Sequence, residues 1–272
     1  MTSRTGFIDR NTILHRLNPA MKLCALVSIA VATIVYPSWR LSAIVLLSIL
    51  VCFRLSHVPL RLTKGRMKFI LTFAALMLLL QIIVIENGSI LFYLLPQIGS
   101  LGPFFPVTDF GIERGLDIVV RFLLIIFSSI LFVSITDPTL LAYSLVRIGI
   151  PYRYAFSLVL ALRFLPLFDS ENNIVRMAQQ SRGISLEVGS IHKILRSVRY
   201  TFFPLLVSAL SRVDSLSLSM TGRGFGYSDK RTYLRITHWS PSDWAILAIS
   251  VIFTIFCFIL ALGLLPQVSR FL

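Results

Sequence analysis

The stretch RFLLIIFSSILFVSITDP, Arg121–Pro138, decides how the chain is read. From Phe122 to Ile135 it runs for 14 residues without a charge, and Thr136-Asp137-Pro138 then closes it. Extended back to Ile112, the run reaches the roughly 20 apolar residues that a bilayer-spanning helix needs. Asp137 is a good helix N-cap and proline suits the first helical position, so a new helix starts at Pro138. One segment thus ends a membrane span and opens something different.

Four further runs qualify as spans: Pro19 to Tyr36, Leu41 to Phe53, Phe69 to Ile85 and Trp244 to Leu265. The second is short; it borrows Trp39 and Leu55 or tilts less than its neighbours. Pro37-Ser38-Trp39-Arg40 reads as a tight turn, with Tyr36 and Trp39 as interfacial aromatics. Of the 272 residues, 56% are hydrophobic and 14% charged, where a soluble domain carries about 25% charged residues. No small-residue cleavage site follows the first apolar run, so a removable signal peptide is not expected. Cys24, Cys52 and Cys257 all lie in apolar runs and read as small buried hydrophobes.

The net charge of +14 is distributed in blocks, which favours topology over nucleic-acid binding. Arg4, Arg10, Arg16 and Lys22 precede or open the first span; Arg54, Arg61, Lys64, Arg66 and Lys68 separate the second from the third. The connection Glu86 to Gly111 has neither Lys nor Arg, whereas Asp137 to Ser240 holds thirteen. The positive-inside rule then places the N-terminus inside, crosses five times and leaves the C-terminus outside. The apolar outer connection, broken by Pro96, Pro103 and Pro106, is expected as a re-entrant or interfacial segment.

Between Asp137 and Ser240 a short helix runs from Pro138 to about Gly149, and Pro151 starts the next. Pro151 to Ser181 and Ile191 to Thr221 are each apolar on one broad side and charged elsewhere. Such helices suit a membrane face, packed on each other. Phe164-Leu165-Pro166-Leu167 echoes Phe202-Phe203-Pro204-Leu205, so Pro166 and Pro204 describe two kinked helices. Each ends in an arginine-glycine pair, Ser181-Arg182-Gly183 and Gly222-Arg223-Gly224. Glycine at these positions suits a helix C-cap, and arginine in a last turn is favoured by the helix dipole. Two readings stand on this physics: simply capped helices, or immobilised guanidinium anchors for a partner's carboxylates.

The order Thr136-Asp137-Pro138, Gly149-Ile150-Pro151, Ala161-Leu162-Arg163-Phe164-Leu165-Pro166, Gln179-Gln180-Ser181-Arg182-Gly183 and Gly222-Arg223-Gly224-Phe225 resembles the T component of energy-coupling factor (ECF) transporters, the CbiQ/EcfT family. The entry Leu14-His15-Arg16-Leu17-Asn18-Pro19-Ala20-Met21-Lys22-Leu23 resembles it too. In that family the signatures are typically Ala-Arg-Gly; here Ser181 and Gly222 replace the alanines. The resemblance implies a subunit that couples two ABC ATPase subunits to a membrane-embedded substrate-binding S subunit, for uptake of a vitamin or other micronutrient. It implies that Arg182 engages one ATPase and Arg223 the other.

Other chemistries are weaker. Gly222-Arg223-Gly224-Phe225-Gly226 lacks the Walker A order, so ATP hydrolysis belongs to partners and no cofactor is expected. Asp109, Glu113 and Asp117 share helical spacing, but the first two suit a helix N-terminus and Asp117 can pair with Arg121. His15, His57, His192 and His238 are scattered over separate loops. Intramembrane charge marks transport pathways, and its scarcity disfavours a self-sufficient secondary transporter, the main rival reading. A membrane transferase or hydrolase would need a catalytic cluster that the sequence lacks. The expectation is an all-α, non-enzymatic protein of the bacterial or archaeal plasma membrane. Residues 1–136 form a four-span membrane domain, 137–240 the coupling helices and 241–272 a last span.

Overall fold

The structure, a computed structural model, describes residues 7–8, 12–57, 64–85, 87–95, 104–184, 191–227 and 240–264. Of the features expected above, Arg4, Arg10, Arg61, Glu86, Pro96, Pro103, His238 and Leu265 lie outside the described residues, as do Lys230, Arg231 and Arg235 of the thirteen cations between Asp137 and Ser240. Among the described residues the fold is helical, apart from one small strand pair. The elements are α1 (Ile13–Arg16), α2 (Pro19–Val35), α3 (Trp39–Leu55), α4 (Lys64–Val84), β1 (Ile90–Leu95), β2 (Phe104–Thr108), α5 (Asp109–Ile135), α6 (Pro138–Ile148), α7 (Tyr152–Ser181), α8 (Ile191–Gly222) and α9 (Pro241–Ala261). They divide into two compact units, Met1–Ser144 with Thr237–Leu272, and Leu145–Ile236.

In the first unit, α4, α5 and α9 are each long and apolar enough to cross a membrane. Helices α2 and α3 have 17 residues each, about 26 Å at the helical rise, just short of a hydrocarbon core of about 30 Å. Trp39 and Leu55 do bound α3, as its shortness required. Large apolar side chains such as Ile34, Leu47, Phe69 and Ile252 point outward and exposed, the surface expected where lipid, not water, is the solvent.

Lipid supplies no strong hydrophobic drive between helices, so packing and interhelical hydrogen bonds hold them. Ile49 and Phe53 of α3 bury against Leu124 and Ile135 of α5, and Phe53 meets Phe127 edge-on at 6.3 Å. Where α4 packs on α5, Gly115 lies against Leu78 and Gln81, and a Cβ there would make ordinary contact, 3.5 Å from Gln81 Cβ. Helices α2 and α9 share a polar clasp. The Ser28 and Thr254 hydroxyls lie 2.6 Å apart, Ser28 Oγ donates to Ser250 O at 3.0 Å, and Thr254 Oγ1 is 3.1 Å from Ser28 O.

The connection between α4 and α5, expected as a re-entrant or interfacial segment, contains a strand pair that the sequence reading did not foresee. Its described residues form an antiparallel pair, Ile90↔Thr108 through Leu95↔Phe104, with a bulge between Ile90 and Phe92. Ile-Leu-Phe-Tyr-Leu-Leu has no helical polar face, and aromatic and branched residues suit strands. Pro106 lacks an N–H and is tolerated on an edge strand. The pair is fastened by Thr108, whose hydroxyl donates to Ile85 O at 3.1 Å and accepts from Gly111 N at 3.1 Å, capping α5. Asp109 and Glu113 therefore fall in the first turns of α5, and Asp117 pairs with Arg121 at 2.8 Å, the partner its spacing pointed to.

Replacing Thr254 by valine removes a hydroxyl from the α2–α9 clasp while keeping its volume. We expect the unfolding free energy in mixed micelles to fall by about 1 kcal/mol. An unchanged denaturant midpoint would show that the clasp contributes nothing.

Candidate functional site

The second unit is built on α7 and α8, which lie antiparallel. Glu171 of α7 receives Ser208 Oγ on Oε1 at 2.7 Å and an Arg212 guanidinium N–H on Oε2 at 2.6 Å. Ser208 and Arg212 are one helical turn apart on α8, so both reach the same carboxylate. Eight residues along the same face of α7, Gln179 Nε2 donates to Tyr200 O at 3.3 Å. That carbonyl is available for a sequence reason: Pro204, four residues on, has no N–H to give back to it. Proline inside α8 thus creates the acceptor that fixes the far end of α7.

Pro151 occupies the N-cap of α7, Pro166 and Pro204 lie inside their helices, and Pro138 is the first residue of α6. Asp137 Oδ1 accepts from Thr139 N at 2.8 Å, the cap anticipated for α6.

Both arginine-glycine pairs adopt one backbone arrangement. At the end of α7, Gly183 N donates to Gln180 O at 2.9 Å and Ile184 N to Gln179 O at 3.1 Å. At the end of α8, Gly224 N donates to Thr221 O at 3.0 Å and Phe225 N to Met220 O at 3.0 Å. These paired bonds are the Schellman stop, with Gly183 and Gly224 at φ 76° and 70°. Arg182 and Arg223 occupy equivalent positions immediately before the turning glycine, and both are exposed. Ser181 and Gly222 are the last helical residues. Gly149 and Gly263 close α6 and α9 with the same bonds, so the stop itself is generic. What distinguishes the ends of α7 and α8 is an arginine placed on it.

The antiparallel arrangement sends these tips to opposite ends of the pair. Phe225, directly beyond the second tip, packs its ring 4.8 Å from Phe156 and 6.2 Å from Tyr152, at the start of α7. Arg182 stands at the other end of α7, 26 residues from Phe156. At 1.5 Å per residue the tips are up to about 40 Å apart. Beside Arg223 a cavity of about 280 Å³ is lined by Val213, Leu216, Ser217, Met220, Thr221 and Phe225.

Sequence spacing located the tips and prolines but missed Glu171, Ser208, Arg212 and Gln179. The i, i+4 Ser208–Arg212 spacing was the one available signal, and it does not name a partner on another helix.

Two outcomes follow from this geometry. A Cβ on Gly183 or Gly224 would meet no atom within 4 Å, so alanine at either position is opposed only by its positive φ. Each substitution should cost about 1 kcal/mol, read as a lowered melting temperature of the intact protein. Secondly, hydrogen bonds from Ser208 and Arg212 hold the Glu171 carboxyl below its ordinary range. A carboxyl lowered on folding stabilises the folded state above its unfolded value of about 4.3, and this is lost as pH falls through the lowered value. Acidification from about pH 6 to about pH 3 should therefore destabilise the wild type more than Glu171→Gln. Parallel pH profiles would contradict the assignment.

Comparison with known proteins gives a consistent result. The family model described as CbiQ, cobalt transport protein, matches residues 10–234. A protein of Leuconostoc gelidum subsp. gasicomitatum named energy-coupling factor transporter transmembrane protein EcfT is 30% identical over 262 residues, 93% of this chain and 95% of that protein. Proteins of the same name from Streptococcus equi subsp. equi and Limosilactobacillus fermentum are 29% and 28% identical, each over 263 residues. They cover 93% of this chain and 94% and 95% of their own lengths.

Proposed function

The chain belongs to the CbiQ family as the transmembrane component of an energy-coupling factor transporter, and from that premise we propose that Arg182 and Arg223 each seat on one of two ABC ATPase subunits. The observation that carries this reading is the pair of equivalent arginine stops at opposite ends of one antiparallel helix pair. A guanidinium held at a fixed backbone turn makes a bidentate anchor for a carboxylate. A separation of up to about 40 Å suits one tip per ATPase subunit better than two tips on one. The apolar cavity beside Arg223 supplies a second contact at that tip.

In this reading residues 137–240 form the coupling domain on the cytoplasmic side, residues 1–136 and 241–272 the membrane part, and the N-terminus lies inside. The positive charge between Asp137 and Ser240 supports that orientation. Exposed apolar side chains along α7 and α8, among them Leu158, Leu165, Phe202 and Val207, face a membrane-embedded S subunit that holds the solute. The transport role in this reading is uptake of a vitamin or other micronutrient. ATP hydrolysis occurs in the partners. Closure of the ATPases changes the spacing of the tips, and nucleotide drives transport only through its different affinity for the two arrangements.

Co-expression with the candidate ATPases tests this. The double variant Arg182→Glu, Arg223→Glu should insert into the membrane at the wild-type level and bring down no ATPase, with solute uptake lost. Wild-type assembly and uptake in that variant would overturn the roles given to both arginines.

A further inference from the structure

The end of the membrane unit where α2 and α9 begin and α5 finishes holds a buried polar cluster that the docking of ATPases does not require. Asn18, Lys22 and Asp243 are 3%, 8% and 1% exposed. Lys22 Nζ donates to Ile135 O, on the last residue of α5, at 2.9 Å and to His15 O at 3.2 Å. Asp243 Oδ1 accepts from Asn18 N at 2.8 Å, and its Oδ2 accepts from Ser240 N at 2.8 Å, fastening the start of α9 to the start of α2. The preceding segment adds to the hold on α5: Ile8 N donates to Ser134 O at 3.1 Å, and His15 Nε2 donates to Ile8 O at 3.0 Å.

Buried charge is expensive in a membrane protein, and well-packed apolar residues of similar volume are often at least as stable. The cluster instead gathers three helix ends, whose terminal N–H and C=O groups lack partners in their own helices. Chain order gives two of these ends a further meaning. The chain passes into the unit Leu145–Ile236 after α5, within α6, and it comes back into α9 through Ser240. The outgoing end is held by Lys22 and the returning end by Asp243. Both residues are tied to the same five-residue start of α2, Asn18–Lys22.

We propose that Asn18, Lys22 and Asp243 form the clamp through which movement of the unit 145–236 is passed to the membrane helices. Lys22 and Asp243 are positioning residues for transport, and the proposal rests on the coupling role given to α7 and α8 above. With the clamp intact, displacement of the helix pair pulls α5 and α9 together against α2. With it broken, the ATPases still dock and turn over, but their motion is spent in slack at the two chain connections.

The test uses the complete complex of this chain, both ATPases and the S subunit in proteoliposomes, measuring solute uptake and ATP hydrolysis together. Lys22→Met and Asp243→Asn should keep hydrolysis within about twofold while uptake per ATP falls about tenfold, the scale of one lost charge-assisted hydrogen bond. Lys22→Arg, which keeps the charge and donors, should recover most of the uptake.

Should those variants fail to assemble, Asn18 decides. It has φ −61° and follows Leu17 at φ −64° and ψ 149°, so proline fits the backbone there and deletes the N–H given to Asp243. Alanine keeps that N–H and, like proline, loses the side-chain bond to Ala20 N. Uptake per ATP should fall in Asn18→Pro and not in Asn18→Ala. Equal coupling in these two variants, or uptake and hydrolysis falling in proportion throughout, would overturn the clamp. Absence of ATPase from the wild-type complex would instead sink the docking role of the arginines.

Discussion

An α-helix leaves its first four N–H and last four C=O groups without partners, and within a bilayer no water is at hand to satisfy them. How this chain treats its helix ends governs most of what the structure does. At the ends of α7 and α8, glycine in the left-handed conformation turns the chain back on its own carbonyls, leaving Arg182 and Arg223 exposed. Where α2, α5 and α9 meet, side chains satisfy the helix ends instead. Lys22 covers a carbonyl of α5, and Asp243 receives the amides of Asn18 and Ser240. The first solution makes tips that can grip a partner. The second makes a joint that can bear a pull.

The two tips are joined by the α7–α8 pair, which is tied by side-chain hydrogen bonds. Glu171 draws two donors from α8, and Gln179 reaches the carbonyl that Pro204 leaves free. Gln179 also carries the carbonyl that accepts Ile184 N in the stop behind Arg182. One residue therefore links the proline of α8 to the arginine tip of α7. Much of the remaining surface of both helices is apolar and exposed, the surface that the proposed function assigns to the S subunit.

What could be read from the sequence was what local physics dictates. Asp137-Pro138 opens a helix, Gly183 and Gly224 close two, and Trp39 and Leu55 bound a short span because its apolar core alone is too short. Asp117 had its partner one turn away. The connection 87–108 was harder, since a run such as Ile90–Leu95 is apolar in every period and only pairing with Phe104–Thr108 selects a strand. Long-range polar choices were invisible: nothing near Lys22 points to Ile135, and nothing near Glu171 points to Ser208 or Arg212. Periodicity shows which face is apolar, and it carries no record of which distant atom a charged group will meet.

In the proposed function, the arginine stops hold two separate ATPase subunits at opposite ends of one helix pair. Photo-crosslinkable residues placed singly at positions 182 and 223 of the assembled complex test it most directly, with the trapped peptides identified by mass spectrometry. Each position should capture an ATPase, and a doubly labelled chain should capture two copies at once. Capture of lipid or the S subunit alone, or of one ATPase by both positions, would contradict it.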